Sequence, residues 1–382
     1  MIDLIESEGR KYLIYNLNDP AKAWEAIEST KHLFLKADDK PIVVIDGSFE
    51  GTGAVFQNSG ETADGVRSFR AIHSIAFSKI HEVLSEYKLD RTVFVYGDAN
   101  IEQNYINWCK ENNHKRVFGK CIYRPYTLLQ RSLLGHNLNL TQPNLSFKPK
   151  HFICLNAVPR PHRFEMVNLL YENDWQHKGH ISWLRRHQDV VYPVQDNHYF
   201  NQETLQLDFD RKEINIGGGG IHGNQLLCPP QYREACFDIV NETIVSDTAL
   251  FITDKTWKPI LQKTPFIIFG SKNSHKHLEE YFGIKPYTDL FDYRFDNLNY
   301  EERFASIKHD NLERLLNMDI HELNEIVNSD KMQELLEFNK AQLLTQIFNR
   351  LRDVRLHGLS NTMISNDLLN APLVKQLISL GF

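Results

Sequence analysis

The chain has 382 residues, of which 42% are hydrophobic, 11% aromatic and 24% charged, a composition that supports a packed core and excludes a disordered or fibrous polypeptide. Its 43 Lys and Arg against 49 Asp and Glu leave a formal charge of -6, so no global field draws it to nucleic acid or anionic lipid. At roughly 100–200 residues per domain, the length predicts two domains rather than one.

The opening Met1-Ile2-Asp3-Leu4-Ile5-Glu6 carries acids where a secretory signal carries Lys or Arg. No apolar run nears the roughly 18 residues of a membrane span, and a cytoplasmic protein without a membrane span is expected. Pro41 to Gly47 and Thr92 to Asp98 are β-branched and aromatic runs bounded by turn residues, and both read as buried parallel strands. Between them Ile72, Ile75, Ala76, Ile80, Val83 and Leu84 recur at helical spacing, and Asn104 to Asn112 is again helix-like. Strand, helix, strand, helix is the signature of an α/β layer architecture.

Asn137 to Lys150 is rich in Asn, Pro, Ser and Thr without a period, which suits an interdomain connection. A second α/β unit follows it: a strand over Phe152–Asn156, a helix over Arg163–Tyr171 with Phe164, Val167 and Leu170 on one face, and a strand at Pro265–Gly270. From Tyr300 onward the apolar spacing is helical to the end. These readings predict an N-terminal Rossmann-like domain over 1–145, a C-terminal Rossmann-like domain over 146–340 and a helical tail over 341–382 packing across both.

Several local features point elsewhere only weakly. Gly217 to Gly220 would let backbone amides approach a phosphate, but no Gly-Lys-Ser/Thr follows, and a mobile or turn-forming loop is the expectation, with ligand contact the alternative. Asp208-Phe209-Asp210 has the form of a divalent-cation ligand pair, yet Leu205, Leu207 and Phe209 alternate with polar residues as in a half-exposed strand. Cys109, Cys121, Cys154, Cys228 and Cys236 form no C-x-x-C pair, and the histidines show no His-x-x-x-His spacing. No G-x-S-x-G elbow or kinase signature set occurs.

The second half concentrates residues suited to a nucleotide. After the strand at 152–156 comes a loop with Asn156, Arg160, His162 and Arg163, then a helix whose free N-terminal amides and adjacent guanidinium make an anion site. Further on, Glu242 closes a strand, and Thr253-Asp254-Lys255 opens a helix before the strand at 265–270. An acid for ribose hydroxyls and a lysine for phosphate describe a nucleotide-diphosphate pocket, whereas singly the same residues describe a βαβ unit with Thr253 as helix cap.

Val240-Asn241-Glu242-Thr243, Phe251-Ile252-Thr253-Asp254-Lys255 and Pro265-Phe266-Ile267-Ile268-Phe269-Gly270 stand in one order over 240–270. In this set, and more loosely over 150–290, the chain resembles the α-1,3-fucosyltransferase-like superfamily of GT-B sugar-nucleotide glycosyltransferases. The resemblance implies two Rossmann-like domains facing a cleft, with the donor diphosphate on Arg163, ribose and phosphates on Asp254 and Lys255, and the earlier acid at Glu242. Asp254 replaces the family's Glu, and the aromatic before the first acid is absent, so neither guanine nor fucose is implied.

The expected activity is transfer of a sugar from a nucleotide-diphosphate donor to an acceptor hydroxyl, inverting and with no obligatory metal or cofactor. Arg163 and Lys255 would neutralise the leaving diphosphate, and one of Asp46, Glu50 and Asp98, all near strand ends of the first half, would be the base. The acceptor is a glycan or another hydroxyl compound. Two alternatives are a phage-type glycosyltransferase acting on hydroxymethylated DNA bases, with Lys115, Arg116, Lys120, Arg124 and Arg131 as the basic stretch, and a non-catalytic nucleotide-sugar binding protein.

Overall fold

The computed structural model describes residues 2–16, 20–36, 39–47, 78–125, 146–156, 160–182, 213–216, 219–222, 230–355 and 366–380. The chain divides into two compact units: residues 1–129, 248–251 and 350–382 form unit 1, and residues 130–247 and 252–349 form unit 2. Both are α/β, with parallel strands at their centre. Among the described residues, no helix is long and apolar enough to cross a membrane.

Unit 1 is built on a five-stranded sheet of β1 (Ile2–Ser7), β2 (Arg10–Asn16), β3 (Ile42–Gly47), β4 (Thr92–Tyr96) and β5 (Lys120–Tyr123). The strands lie in sequence order: β1 is antiparallel to β2, and β2 to β5 are parallel. The apolar runs read from sequence are β3 and β4. The β1–β2 hairpin was not anticipated; its first strand alternates Leu4, exposed, with Ile5, packed inward, and so carries too little apolar signal over six residues.

Successive side chains point to opposite faces of a strand, and the core divides accordingly. On one face Leu13, Tyr15, Val43, Ile45, Phe94 and Tyr96 pack against Ile27 and Phe34 of α1 (Pro20–Leu35), Ile80 and Leu84 of the helical residues 78–84, and Tyr105 and Trp108 of α2 (Ile101–Glu111). A sheet whose parallel strands follow in chain order puts its right-handed crossover helices on one side, so the opposite face needs another cover. Tyr12, Ile14, Ile42, Val44, Val93 and Val95 of that face pack against Leu373, Val374 and Leu377 of the C-terminal helix α10 (Asn366–Ser379).

Leu377→Ala is therefore expected to destabilise unit 1 by about 2–5 kcal/mol, the cost of emptying a leucine-sized volume in a closed core. Urea unfolding followed at unit 1 checks this. A loss below about 0.5 kcal/mol, the range of ordinary surface changes, would mean that α10 does not seal the sheet.

Unit 2 contains a four-stranded, wholly parallel sheet in the order β11 (Phe266–Phe269), β10 (Ala235–Asn241), β6 (Lys150–Leu155), β7 (Gly179–Ser182). Its helices include α3 (Pro161–Glu172), α4 (Asp254–Gln262) and α5 (Ser274–Phe282). These are followed by α6 (Tyr300–Ser306), a π-helical turn over Ile307–Leu312, α7 (Glu313–Asn317), α8 (Ile320–Val327) and the first part of α9 (Asp330–Arg355). Phe152 faces Gly179 across the β6–β7 ladder, and a Cβ on Gly179 would lie 2.5 Å from the Phe152 ring, so only glycine fits there.

The order of this sheet positions the site. From β6 the chain moves outward to β7 on one side and later returns to β10 on the other, so the strand order reverses between β6 and β10. Ligands of open α/β sheets bind beyond the carboxyl ends of strands at such a reversal. Among the described residues, the parallel strands of the unit 1 sheet show no such reversal.

The glycine run forms part of a small antiparallel hairpin, β8 (Glu213–Ile216) with β9 (Gly219–His222), in which Ile216 faces Gly219. Gly219 and Gly220 thus lie in a strand, and Gly217 and Gly218, on which the loop reading falls, lie outside the described residues. Asp208 and Asp210 lie outside the described residues, as does residue stretch 137–145 of the expected connection.

Candidate functional site

The site is assembled at the reversal from the carboxyl ends of β6 and β10 and the starts of α3 and α4. β6 ends at Leu155, and Asn156 follows it, 2% exposed. The Asn156 backbone N–H donates to Ser182 Oγ at 2.9 Å, and Ser182 Oγ donates to the Asn156 carbonyl at 3.0 Å, which ties the ends of β6 and β7. On the other side, Asn241 Nδ2 donates to Asn156 Oδ1 at 2.9 Å, joining β6 to β10 directly across the reversal.

Arg160 stands at the cap position of α3 with extended backbone and no side-chain cap, and Pro161 opens the helix, where its missing N–H costs no hydrogen bond. The first-turn residues His162 and Arg163 are both buried. His162 Nε2 donates to the Glu242 carbonyl at 2.8 Å, and Arg163 Nη2 donates to the same oxygen at 3.2 Å. A carbonyl only accepts, so the proton of His162 sits on Nε2. Burial, with Arg163 close by, drives the His162 pKa down to about 3, which keeps the ring neutral. Burial and then Arg160 lower the Arg163 pKa to about 9, and burial lowers that of Lys255, with Arg163 contributing.

Glu242, fully buried, is the hub. Its Oε1 accepts from Thr253 N at 2.9 Å and Thr256 Oγ1 at 2.6 Å, and its Oε2 from Thr253 Oγ1 at 2.6 Å and Thr243 N at 2.9 Å. A carboxylate has about four acceptor positions, and all are filled within the protein. Glu242 therefore has none left for a ribose hydroxyl, which corrects its expected ligand-binding role: it places the start of α4 instead. Gly270, after β11, makes room for it, because a Cβ there would meet Glu242 Cβ at 3.1 Å and Ile268 Cγ2 at 2.9 Å.

Thr253 caps α4, its hydroxyl accepting from Lys255 N at 3.4 Å while donating to Glu242. Lys255 Nζ donates to Thr243 Oγ1 at 2.9 Å and to Thr253 Oγ1 at 3.4 Å and lies 3.6 Å from Asp254 Oδ1, with 20% of the side chain exposed. Asp254 also pairs with Lys258, Oδ2 to Nζ 3.1 Å, which engages the second expected ribose-binding acid with its own helix.

The structure thus brings together Asn156, Arg160, Arg163, Glu242, Thr253, Asp254 and Lys255 within unit 2. Sequence reasoning missed Asn241 and Thr256. Asn241 carried a usable signal, a polar residue ending an otherwise apolar strand; Thr256 carried none.

Two of the three expected bases, Asp46 and Asp98, are among the described residues of unit 1, and both are engaged. Asp46, near the end of β3, forms a buried ion pair with Arg124, the two side chains being 6% and 7% exposed. Arg124 is therefore withdrawn from the basic stretch considered for DNA, and Arg116 lies 3.9 Å from Glu102. Asp98 is wholly buried and accepts from Asn100 N and Leu250 N at 2.8 Å each and from Asn104 Nδ2 at 2.6 Å. Burial raises its pKa. Glu50 and Arg131 lie outside the described residues. Among the described residues no group of three or more His, Cys, Asp or Glu is arranged to hold a metal ion.

No protein-family model matches the chain, and no curated protein matches it.

Proposed function

We propose that unit 2 binds the diphosphate of a sugar nucleotide and that the protein is a GT-B-type glycosyltransferase, moving the sugar to an acceptor hydroxyl with inversion and without an obligatory metal. The observation that carries this reading is the gathering of Arg160, Arg163 and Lys255, with two helix starts, at the strand-order reversal of the unit 2 sheet. Beside the larger effect of burial, Arg160 lowers the proton affinity of Arg163, and Arg163 that of Lys255, and an anion placed among them relieves that repulsion. The departing diphosphate in a sugar transfer is such an anion, and fixed positive charge aimed at it lowers the barrier. With Asp46 ion-paired and Asp98 buried under three donors, Glu50 is the remaining proposed base for the acceptor hydroxyl.

A thermal-shift panel of UDP-, GDP-, ADP- and CMP-sugars tests the reading. A member at 100 times its Kd adds about 2.7 kcal/mol to the stability of the unit that binds it. Lys255→Ala is expected to weaken that binding by about 1.5–3 kcal/mol, the range for a charge-assisted hydrogen bond. No shift across the panel, or equal affinity in Lys255→Ala and Arg163→Ala, would remove the donor site.

The engagement of both described strand-end acids favours one second reading, nucleotide-sugar binding without transfer. Release of free nucleoside diphosphate that persists in chelator when glycan acceptors are present selects the enzyme. A panel member that binds yet is never turned over selects the binding protein.

A further inference from the structure

Two donors of different charge meet on one oxygen at the start of α3. The carbonyl of the fully buried Glu242 accepts from His162 Nε2 at 2.8 Å and from Arg163 Nη2 at 3.2 Å. A carbonyl oxygen has two lone pairs, so both bonds form at once, but they are unequal. The imidazole bond has an ordinary N–H···O length, whereas that of the guanidinium stands at the long end of the range. A guanidinium also carries further N–H groups, while the neutral imidazole has only this one.

The ring that makes the shorter bond is held from a second side. It meets the Phe269 ring edge to face, with centroids 6.1 Å apart, and the Phe269 carbonyl in turn accepts from Glu242 N at 3.0 Å. His162 therefore touches the end of β11 while it bonds the residue that follows β10. Burial keeps the ring neutral, so it neither repels Arg163 nor follows an approaching anion. An anion acts on the charged Arg163 instead.

We infer that His162 is a positioning residue, which keeps the Glu242 carbonyl satisfied and the start of α3 in place while Arg163 turns a donor from that carbonyl to the ligand. With Arg163 as the sole donor, its departure would leave a buried carbonyl unpaired, and that cost would fall on ligand binding. With His162 present the carbonyl keeps its shorter bond throughout. The shared hold stands on contacts within unit 2, and the movement of Arg163 rests on the nucleotide reading above.

Urea unfolding of a double-mutant cycle tests the shared hold without a ligand. His162→Phe removes one donor but keeps a ring against Phe269, and Arg163→Ala removes the other. Because either donor suffices, the double variant is expected to lose about tenfold more in its folding equilibrium constant than the two single losses multiplied together. Losses that simply multiply would overturn the inference. Inorganic pyrophosphate, titrated by calorimetry, tests the release of Arg163. His162→Phe is expected to raise its Kd about tenfold, and His162→Gln, which restores an N–H donor, to recover most of that loss. In an Arg163→Ala background the same His162→Phe change is expected to leave Kd where it is. A Kd raised equally in both backgrounds is a general loosening of the site and overturns the positioning role, as does an unchanged Kd in His162→Phe. If His162→Phe does not fold, NMR of the unaltered protein decides: on adding pyrophosphate the Arg163 guanidinium signals are expected to shift while the His162 Nε2–H signal stays, and the reverse pattern, or no shift at Arg163, overturns the inference. If neither pyrophosphate nor a panel nucleotide binds the unaltered protein, the nucleotide reading falls and the release of Arg163 with it, whereas the unfolding cycle still decides the shared hold.

Discussion

Glu242→Ala is expected to destabilise unit 2 by about 3–5 kcal/mol and to abolish nucleotide binding. The carboxylate is fully buried and holds four donors, from Thr243, Thr253 and Thr256. Hydrogen bonds to a charged acceptor contribute about 1.5–3 kcal/mol each, but they are not additive, and breaking a buried charged network typically costs 3–5 kcal/mol. Two of the stranded donors are backbone amides that cannot turn away, whereas the threonine hydroxyls can rotate toward other acceptors. Glu242→Gln keeps one oxygen but sets an amide N–H₂ against donors, so an intermediate loss is expected. Urea unfolding of both variants, followed at Trp257 in α4, measures the difference. A loss under about 1 kcal/mol in Glu242→Ala would mean that the network does not hold α4.

Asp238→Asn is expected to do the opposite at alkaline pH. Asp238 lies inside β10, 2% exposed, and accepts from Tyr232 Oη at 2.6 Å. Burial raises its pKa to about 7 from 3.8, against the smaller opposing effects of Tyr232 and Lys258. Between pH 4 and 7 the folded protein therefore holds a proton that the unfolded chain has released, so stability falls as pH rises through that window and is level above it. Three pKa units at 1.36 kcal/mol each set an upper scale of about 4 kcal/mol. The asparagine keeps an oxygen for Tyr232 and carries no charge to desolvate. At pH 8 it should gain up to a few kcal/mol, and at pH 4 almost nothing. Unfolding curves at pH 5 and pH 8 decide it: an unaltered pH slope in Asp238→Asn would place the titration elsewhere.

The α/β class was legible because runs such as Val43-Val44-Ile45 and Phe266-Ile267-Ile268-Phe269 are apolar on both faces, which few contexts other than a covered parallel strand allow. The candidate-site residues of unit 2 were legible for a related reason. A polar residue just past an apolar strand, as Asn156 and Glu242 are, or a threonine before a helical run, as Thr253 is, stands at a place set by local geometry. β5 and β7 were not legible: each has four residues, like β11, but two of the four are only partly buried, so neither a continuous apolar run nor a distinguishable period marks them.

What the chain determined by itself is therefore the local layer: strands, helix starts, the cap at Thr253, and the presence of acids and cations near strand ends. Tertiary structure alone decided which of them are engaged. Asp46 meets Arg124 across 78 positions, Asp98 meets Leu250 across 152, and Glu242 is filled by threonines up to 14 positions away. Tertiary structure also decided that strand order reverses in unit 2 and, among the described residues, not in the parallel strands of unit 1. The physical reason is one of range. Periodicity and capping are settled by neighbours within a turn or a strand, whereas the capacity of a buried carboxylate for a further partner depends on every donor that packing delivers to it, and no local pattern counts those.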